Sequence, residues 1–322
     1  MIVSPQSVQD LQAQFQQDFS IAFGKGQDRW QEKAYRATST AYRTVHMWLA
    51  AQPEMRKWVG ARILNNLVTR GFELKNEDWE YSFVVDANDI FYDNLSAYED
   101  RGRIAGEVSG RWYEKLVTDA MVAANTTPSW DGQTFYNAAH PVNFDDAGGG
   151  TYSNSFTAMP LTSLNLWTLI STMMSYKNEN GLPMEVMPSI LEVPPQLGLD
   201  GATALASGIN LATVQGVAGT PPNVAAAGVD NRLPAALAAI GGALKLVINP
   251  RLSAQPTVYY IHSTNLLKPF VMQIAKDPSA LLQITDPQNP EVFHNKRFVY
   301  GTDSKGVAAG TLPFLSQRVS TV

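Results

Sequence analysis

The chain has no cysteine among its 322 residues. That excludes a disulfide framework, a thiolate metal site and a thiol nucleophile together. Charge is also scarce: Asp, Glu, Lys and Arg make up 16% of the sequence, where about a quarter is usual. Interface cores are depleted in charge, so a surface that meets other protein copies would read this way. A chain rich in small neutral residues would too, and composition leaves both readings open. No stretch reaches the roughly 18 apolar residues in a row that a membrane span requires. The opening Met1-Ile2-Val3-Ser4-Pro5-Gln6 has no basic segment followed by an apolar one, the mark of a secretory leader. A soluble protein made in the cytoplasm, with no membrane partner, is expected. Against 29 acidic residues stand 24 basic ones, a formal charge of −5 with no basic tail. This profile does not suit a protein that reads nucleic-acid sequence.

Histidine is rare as well. His46, His140, His262 and His294 stand far apart, with no His-x-x-x-His spacing, so no zinc site is expected. His140 can be drawn as an acid–base pair with Asp131 or with Asp145-Asp146, but no Gly-x-Ser-x-Gly turn supplies an activated nucleophile. His140-Pro141 reads instead as a loop fastening. Gly148-Gly149-Gly150 and Gly241-Gly242 lack the Gly-Lys-Ser/Thr ending of a phosphate loop. No catalytic, metal or cofactor-binding residue is assigned, and the chain is not expected to be an enzyme.

What is present is a substantial core. Hydrophobic residues at 45% and aromatics at 10% indicate a folded chain of one large domain or two. Ser4-Pro5 suits a helix start. Val8, Leu11, Phe15, Phe19 and Ala22 follow at helical spacing until Gly24-Lys25-Gly26. This stripe needs a partner surface, on its own domain or elsewhere. From Tyr42 a Trp-containing segment leads to a helix opened by Pro53, with Met55, Val59, Ile63 and Leu67 as its stripe and Gly71 as its stop. Phe72 to Lys75, a turn at Asn76-Glu77-Asp78 and the strand Trp79 to Val85 then read as a hairpin with a charged tip. Trp79, Tyr81, Phe83 and Val85 alternate with Glu80, Ser82 and Val84. A two-stranded hairpin is marginal in water, so it lies either on its own sheet or on another surface.

From Ala97 to Ala124 there is no proline, and Ile104, Val108, Trp112, Leu116 and Ala120 recur every fourth residue. At 1.5 Å per residue this is a rod of roughly 40 Å. Gly102, Gly106 and Gly110 form a second, bare stripe. Each glycine costs about 1 kcal/mol against alanine, which implies a chain crossing this face closely, from the same molecule or a neighbour. Asn125 to Pro160 reads as loop and Leu161 to Tyr176 as helix. Pro188 to Val193, Leu244 to Ile248 and Thr257 to Ile261 read as apolar strands. The Ala/Gly-rich region 198–242 holds a loop over Thr213 to Asn231. Phe270 to Val299 and Val307 to Ser316 suggest a long hairpin that turns at Asp286-Pro287-Gln288-Asn289-Pro290. The mixture gives an α+β fold.

Several fragments also resemble one family. They are Trp48-Leu49 before Pro53, Met55-Arg56-Lys57-Trp58-Val59-Gly60-Ala61-Arg62, Phe72-Glu73-Leu74-Lys75-Asn76 with Trp79-Glu80, and Asp131-Gly132-Gln133-Thr134-Phe135-Tyr136 with His140-Pro141. Asn180-Gly181-Leu182-Pro183, Leu191-Glu192-Val193-Pro194-Pro195 and Tyr300-Gly301-Thr302-Asp303-Ser304-Lys305 complete the set. In this order they resemble the major head subunits of Mu-like bacteriophages. The resemblance implies the Hong Kong 97-type capsid fold. Its N-terminal arm would be 1–40 (Leu11, Phe15, Phe19), and a helix over 41–71 would lead to the extended-loop hairpin, 72–93. The peripheral domain would be 94–155 and 263–322, with the spine helix 97–124 (Ile104, Val108, Trp112, Leu116), and the axial domain 156–262. Lys75, Asn76, Glu77 and Asp78 would make polar contacts to a neighbouring subunit, and Trp79, Tyr81 and Phe83 would pack on it. Some shells of this fold cross-link a loop lysine; at Lys75, near Glu73, Glu77 and Asp78, a surface ion pair is the default. The implied function is a structural coat subunit. It would assemble with copies of itself into hexamers and pentamers of an icosahedral head around double-stranded DNA, which it contacts without sequence specificity. The implied partners are a separate scaffolding protein, a portal and a decoration protein. An encapsulin-type compartment shell of the same fold is the alternative.

Overall fold

A computed structural model describes residues 5–25, 29–49, 69–91, 100–144, 148–206, 208–211, 228–265, 267–286 and 288–322. In chain order the elements begin with α1 (Pro5–Gly24), α2 (Trp30–Lys33), β1 (Ala34–Thr38), β2 (Arg43–Leu49), β3 (Thr69–Lys75) and β4 (Glu77–Asp86). Next come α3 (Ala87–Phe91), α4 (Arg101–Gly110), α5 (Trp112–Ala123), β5 (His140–Pro141), β6 (Thr151–Tyr152), β7 (Ser155–Phe156), α6 (Ser163–Met174), β8 (Ile190–Val193) and α7 (Gly198–Leu205). The remainder are β9 (Gly208–Leu211), β10 (Gly228–Asn231), α8 (Leu233–Ala239), β11 (Lys245–Ile248), β12 (Val258–His262), β13 (Phe270–Lys276), β14 (Leu282–Ile284), α9 (Pro290–Asn295), β15 (Arg297–Gly310) and β16 (Ser316–Ser320). They group into two compact units, residues 1–46, 72–123 and 270–309, and residues 47–71, 124–269 and 310–322. The expected division at 155/156 and 262/263 therefore shifts. Strands β7 and β16 pair within the second unit's sheet and take their flanking chain with them.

In the first unit the long strand β15 organises a five-stranded sheet. One of its edges pairs with β4, from Arg297 opposite Asp86 to Gly306 opposite Glu77. Along its other edge lie β14 and β13, and β1 extends the sheet beyond β13 in parallel. Helix α1 covers one face. Its Leu11, Phe15 and Phe19 join Phe83, Val85, Ala105, Leu281, Val292, Phe298 and Tyr300 in one buried cluster. Phe15 meets both Phe83 and Tyr300 edge-on, at 5.5 and 5.2 Å between ring centroids. The expected N-terminal arm is thus packed into its own molecule through these three residues.

The bare stripe on α4 explains how α1 comes so close. A Cβ at Gly102 would lie 2.7 Å from the carbonyl oxygen of Phe15, and one at Gly106 would lie 2.9 Å from the carbonyl carbon of Phe19. The crossing chain is therefore α1 of the same molecule. This is the close approach expected at the glycine stripe, and it leaves the larger side chains of the helix's first half outside the contact. Gly102, Ala105, Gly106, Ser109 and Gly110 are buried, whereas Ile104 and Val108 are 40% and 45% exposed. Large side chains on the contact face would hold the backbones apart, so the small-residue face wins. Trp112 and Leu116, on α5, are buried as expected. The rod also bends out of regular helix at Arg111, although Arg111 N–H still donates to Glu107 (3.0 Å) and Lys115 N–H to Arg111 (3.0 Å).

Two strand assignments need correction. Residues 43–49, expected within a helix, form β2; the β-branched Thr44 and Val45 favour the extended backbone. This strand pairs with β3 as a two-stranded ribbon, so Gly71 lies in a strand and is not a helix stop. The expected hairpin of 72–75 with 79–85 does not form: Asn76 alone separates β3 from β4, and the two strands belong to different sheets. The helix expected from Pro53, with Met55, Val59, Ile63 and Leu67, lies outside the described residues. At the chain's far end the expected turn is present, with the Asn289 N–H donating to the Asp286 carbonyl at 2.9 Å; Pro290 then opens helix α9, which Asn289 caps by accepting the Glu291 N–H at 3.0 Å.

The second unit carries a sheet ordered β11-β8-β12-β16-β7. One face of it, with Leu191, Val193, Tyr259, Ile261 and Val319, packs against Leu166, Leu169 and Ile170 of α6, Ala204 of α7 and Leu233 and Leu237 of α8. Helix α6 starts at Thr162, whose hydroxyl accepts from the Asn165 N–H at 3.2 Å. Of the expected loop over 213–231, residues 228–231 form β10, which pairs with β9; residues 212–227 lie outside the described set.

The α1–α4 contact makes a direct prediction. Gly106→Ala adds helix propensity on α4 but inserts a methyl group into the α1 backbone, and overpacking of this kind costs about 1–3 kcal/mol. A fall in stability is expected in denaturant titration, whereas Gly24→Ala, where nothing lies within 4 Å of the new methyl, should leave the midpoint unchanged.

Candidate functional site

The residues expected at the hairpin tip lie along the ribbon root and the sheet beside it. The Lys75 ammonium sits 5.0 Å over the Tyr42 ring, in place of the ion pair expected there; Glu73 pairs with Arg43 at 3.1 Å. Asn76 is buried. Glu77 and Asp78 start β4, and Asp78 meets Lys305 at 2.8 Å, which raises the lysine's pKa. The Trp79 indole donates to the Gly306 carbonyl at 3.1 Å, and the Lys115 ammonium lies 4.9 Å over its ring. Tyr81 packs on the buried cluster to which Phe83 belongs.

The aromatic face of β4 is therefore occupied within the molecule. The face left to solvent carries the alternate residues. Val84 stands opposite Val299, which stands opposite Ile284. In the next row on the same face, Ser82 and Leu282 flank Gly301. Val84, Leu282 and Ile284 are 47%, 57% and 39% exposed. Together they make an apolar strip on the outer side of the sheet, with Glu80 and Asp303 paired at its edge. Sequence reasoning assigned this strip no role because Trp79, Tyr81 and Phe83 dominate the strand pattern. Exposed apolar residues clustered in this way mark an interaction surface more often than scattered ones do.

The second unit contains two arrangements that look catalytic. Asp131 Oδ2 lies 2.5 Å from His140 Nδ1, while His140 Nε2 faces the Phe135 carbonyl at 3.1 Å and the ring stacks on Tyr152. Nε2 faces an acceptor, so it carries a hydrogen, and the carboxylate holds the other side of the ring. Both side chains are sealed from solvent, which fits the loop fastening expected of His140-Pro141. The other arrangement has no counterpart in the sequence analysis. On the polar face of the sheet, Glu192 Oε2 lies 3.4 Å from His262 Nε2, and His262 Nδ1 lies 2.9 Å from Ser316 Oγ. Carboxylate, imidazole and hydroxyl thus line up across β8, β12 and β16. Asn249 donates to Glu192 at 2.6 Å, and Ser316 Oγ is also bonded to the Tyr136 hydroxyl at 2.8 Å. Glu192 is 1% exposed, and His262 and Ser316 are both 0% exposed. A nucleophile with its hydroxyl already paired and no solvent face has no place for a substrate. Among the described residues there is no group of three or more metal-ligating side chains, and no helix is long and apolar enough to cross a membrane.

Comparison with known proteins identifies the lineage. The sequence profile of the Mu-like prophage major head subunit gpT matches residues 8–160 and 236–318. The chain belongs to this family. Relatives include the Mu-like prophage FluMu major head subunit of Haemophilus influenzae, 30% identical over 182 residues that cover 54% of this chain and 58% of the relative. The major capsid protein of Escherichia phage Mu is 27% identical over 177 residues, 51% of this chain and 57% of the relative. The aligned stretches thus span a little over half of those two proteins. In fold, the chain is similar to a subunit of the bacteriophage JBD30 procapsid, with a TM-score of 0.58 at 19% identity over 99% of this chain and 76% of that one. A subunit of the mature capsid of bacteriophage PhiM1 gives a TM-score of 0.51 at 11% identity, covering 91% of this chain and 86% of that one. The fold is the Hong Kong 97-type capsid fold.

Buried phenols make the gpT-family chain's second unit sensitive to alkali. Burial pushes the Tyr260 hydroxyl up to about 12, against the pull of the Arg318 charge, and also raises Tyr136 and Tyr152 well above the ordinary phenol range. The folded state holds these protons more tightly than the unfolded chain, so stability is full below about pH 10 and declines between about 10 and 12. Tyrosinate absorbance at 295 nm should rise together with loss of circular dichroism; complete ionisation by pH 11 with the fold intact would contradict the burial. Asp131→Ala should cost about 3–5 kcal/mol, the usual penalty for stranding one partner of a buried pair, as read by thermal unfolding.

Proposed function

We propose that the chain is the major coat subunit of a tailed-phage head, building hexamers and pentamers of an icosahedral shell around double-stranded DNA. The family match carries this reading. It is to head subunits, which favours a phage head over an enzyme-loaded compartment. On this reading the first unit is the peripheral domain and the second the axial domain, and the protein acts by assembly, without catalysis. It is made in the host cytoplasm and ends in the virion. Its partners are further copies of itself, a separate scaffolding protein, a portal and, on the finished shell, a decoration protein.

Three features suit such a role. Among the described residues no third strand joins the two-stranded ribbon, and an isolated ribbon is marginal in water; Tyr42 and Val45 at its root are 61% and 59% exposed. The outer strip of Val84, Leu282 and Ile284 offers an apolar surface with polar edges, the usual anatomy of an interface. Ile104 and Val108, turned away from the core, offer another. Lys75 to Phe83 would then contribute chiefly through position: polar groups at the root and the even-numbered side chains of β4 face outward.

Negative-stain electron microscopy of the chain co-produced with its scaffolding protein tests the reading. Uniform closed shells are expected. Leu282→Asp, at an exposed position where the fold has no need of leucine, should keep the subunit's thermal midpoint but reduce shell yield by tenfold or more. Compact monomers at every concentration, with scaffold present, would refute the proposal.

A further inference from the structure

Asn76 is the single residue between a strand of the ribbon and a strand of the five-stranded sheet, and it is buried. Its amide belongs to a chain of side chains with one consistent polarity. Asn76 Nδ2 donates to Ser39 Oγ at 3.1 Å and to the Ala41 carbonyl at 2.8 Å. That leaves Asn76 Oδ1 to accept, and it accepts from Gln273 Nε2 at 2.8 Å. Gln273 Oε1 is then the acceptor facing His46 Nε2 at 2.7 Å. The imidazole must therefore carry a hydrogen on Nε2, and Nδ1 faces the Tyr35 hydroxyl at 3.2 Å. No amide in this chain can flip without opposing two acceptors. Gln273 itself, on β13, is completely buried.

We infer that Gln273 is a latch on the ribbon root. Among these side chains it alone bonds on both sides of the ribbon, to His46 on β2 and to Asn76, the residue that follows β3. Other polar ties at the root are Ser39 to Thr44 at 2.7 Å, Asn76 N–H to the Tyr42 carbonyl at 3.0 Å, Tyr35 to His46 at 3.2 Å and the Arg43–Glu73 ion pair at 3.1 Å; none of them joins the ribbon to β13. With the latch closed, residues 43–46 and 72–75 are held to β13. With it open, no side chain of β13 holds them, and they keep only the Tyr35 contact to β1, the ties around Ser39 and the backbone at Asn76 and the turn before β2. The latch concerns the free subunit; its consequence for shells rests on the coat-subunit reading above.

Hydrogen exchange by mass spectrometry on the full-length subunit tests it. In Gln273→Met, which keeps the volume but removes both bonds, exchange in peptides covering 43–46 and 72–75 should accelerate at least tenfold, while α5 and β15 keep their wild-type rates. Unchanged exchange at the root, or equal acceleration throughout the first unit, would overturn the latch. Because Gln273 is buried, a second pair of variants guards against simple misfolding: His46→Leu should open the root, and His46→Gln, which restores a donor towards Gln273, should close it again. Equal exchange in those two would also overturn the inference. Shell assembly by the same variants then separates the two proposals. An open root with normal shells would leave the latch standing and count against the ribbon as a coat contact, whereas an open root with malformed shells would support both.

Discussion

The approach of two helix backbones, α1 onto α4, sets the terms for the whole first unit. It exists because Gly102 and Gly106 remove the atoms that would hold the helices apart. At that distance Phe15 reaches through to Phe83 and Tyr300, and the two rings stack with their centroids 5.4 Å apart. The inner face of the sheet is thereby closed by the molecule itself. The period of two along a strand then leaves no freedom: if Phe83 and Val85 face α1, then Ser82 and Val84 face outward, and the same holds for Tyr300 against Val299 and Gly301. The outward apolar strip is thus a geometric consequence of two glycines on a helix that the strip does not touch. Glycine in a helix interior costs about 1 kcal/mol relative to alanine, and burial of three α1 side chains with the aromatic cluster more than offsets it, at roughly 1.5–3 kcal/mol for each large side chain.

The second unit solves a different problem. Its sheet is covered on both faces, one with aliphatic side chains and the other with a bonded polar row. Glu192, Tyr260 and Arg318 stand opposite one another on three successive strands, and His262 stands opposite Ser316. A row of this kind adds less stability than aliphatic packing of equal volume, but it is intolerant of slippage. A shift of one residue would turn Glu192 and His262 into the aliphatic cluster and leave buried charge unmatched. The resemblance to a hydrolase triad is therefore a by-product of register, with the hydroxyl held by Tyr136 and no route for a substrate.

Much of this was legible in the sequence where one signal dominated. The α1 stripe, the helix from Leu161, the strands ending at Val193, Ile248 and Ile261, and the need for close approach at Gly102 and Gly106 all follow from local pattern. The failures share a cause. Whether β4 pairs with β3 or with β15 depends on residues more than 200 positions away, and the charged turn at Asn76-Glu77-Asp78 mimics a hairpin tip because Asn commonly sits in turns. Here Asn76 serves a buried bonding role that local composition does not reveal. On α4 helical periodicity showed two stripes, and only the fold shows that the crossing chain at the bare one is α1 of the same molecule. The root contacts of His46 and Gln273, like the Glu192 row, join residues that only the folded chain brings together.

These constraints bear on how a coat subunit would associate. A ribbon that is free at its root must lose conformational freedom each time it engages a neighbour, and ordering a backbone costs roughly 1–2 kcal/mol per residue. Holding the root within the subunit moves that cost from association into folding, which strengthens every contact without adding one. Because contacts in a closed shell are linked, a modest gain at each site multiplies through effective concentration. The same linkage sets an upper limit, since contacts that are individually too strong would trap misplaced subunits. A scarcity of charge, an apolar strip of a few side chains and a ribbon held at its root would be a consistent answer: each interface could stay weak enough to correct, with the ordering cost met at the ribbon root before association.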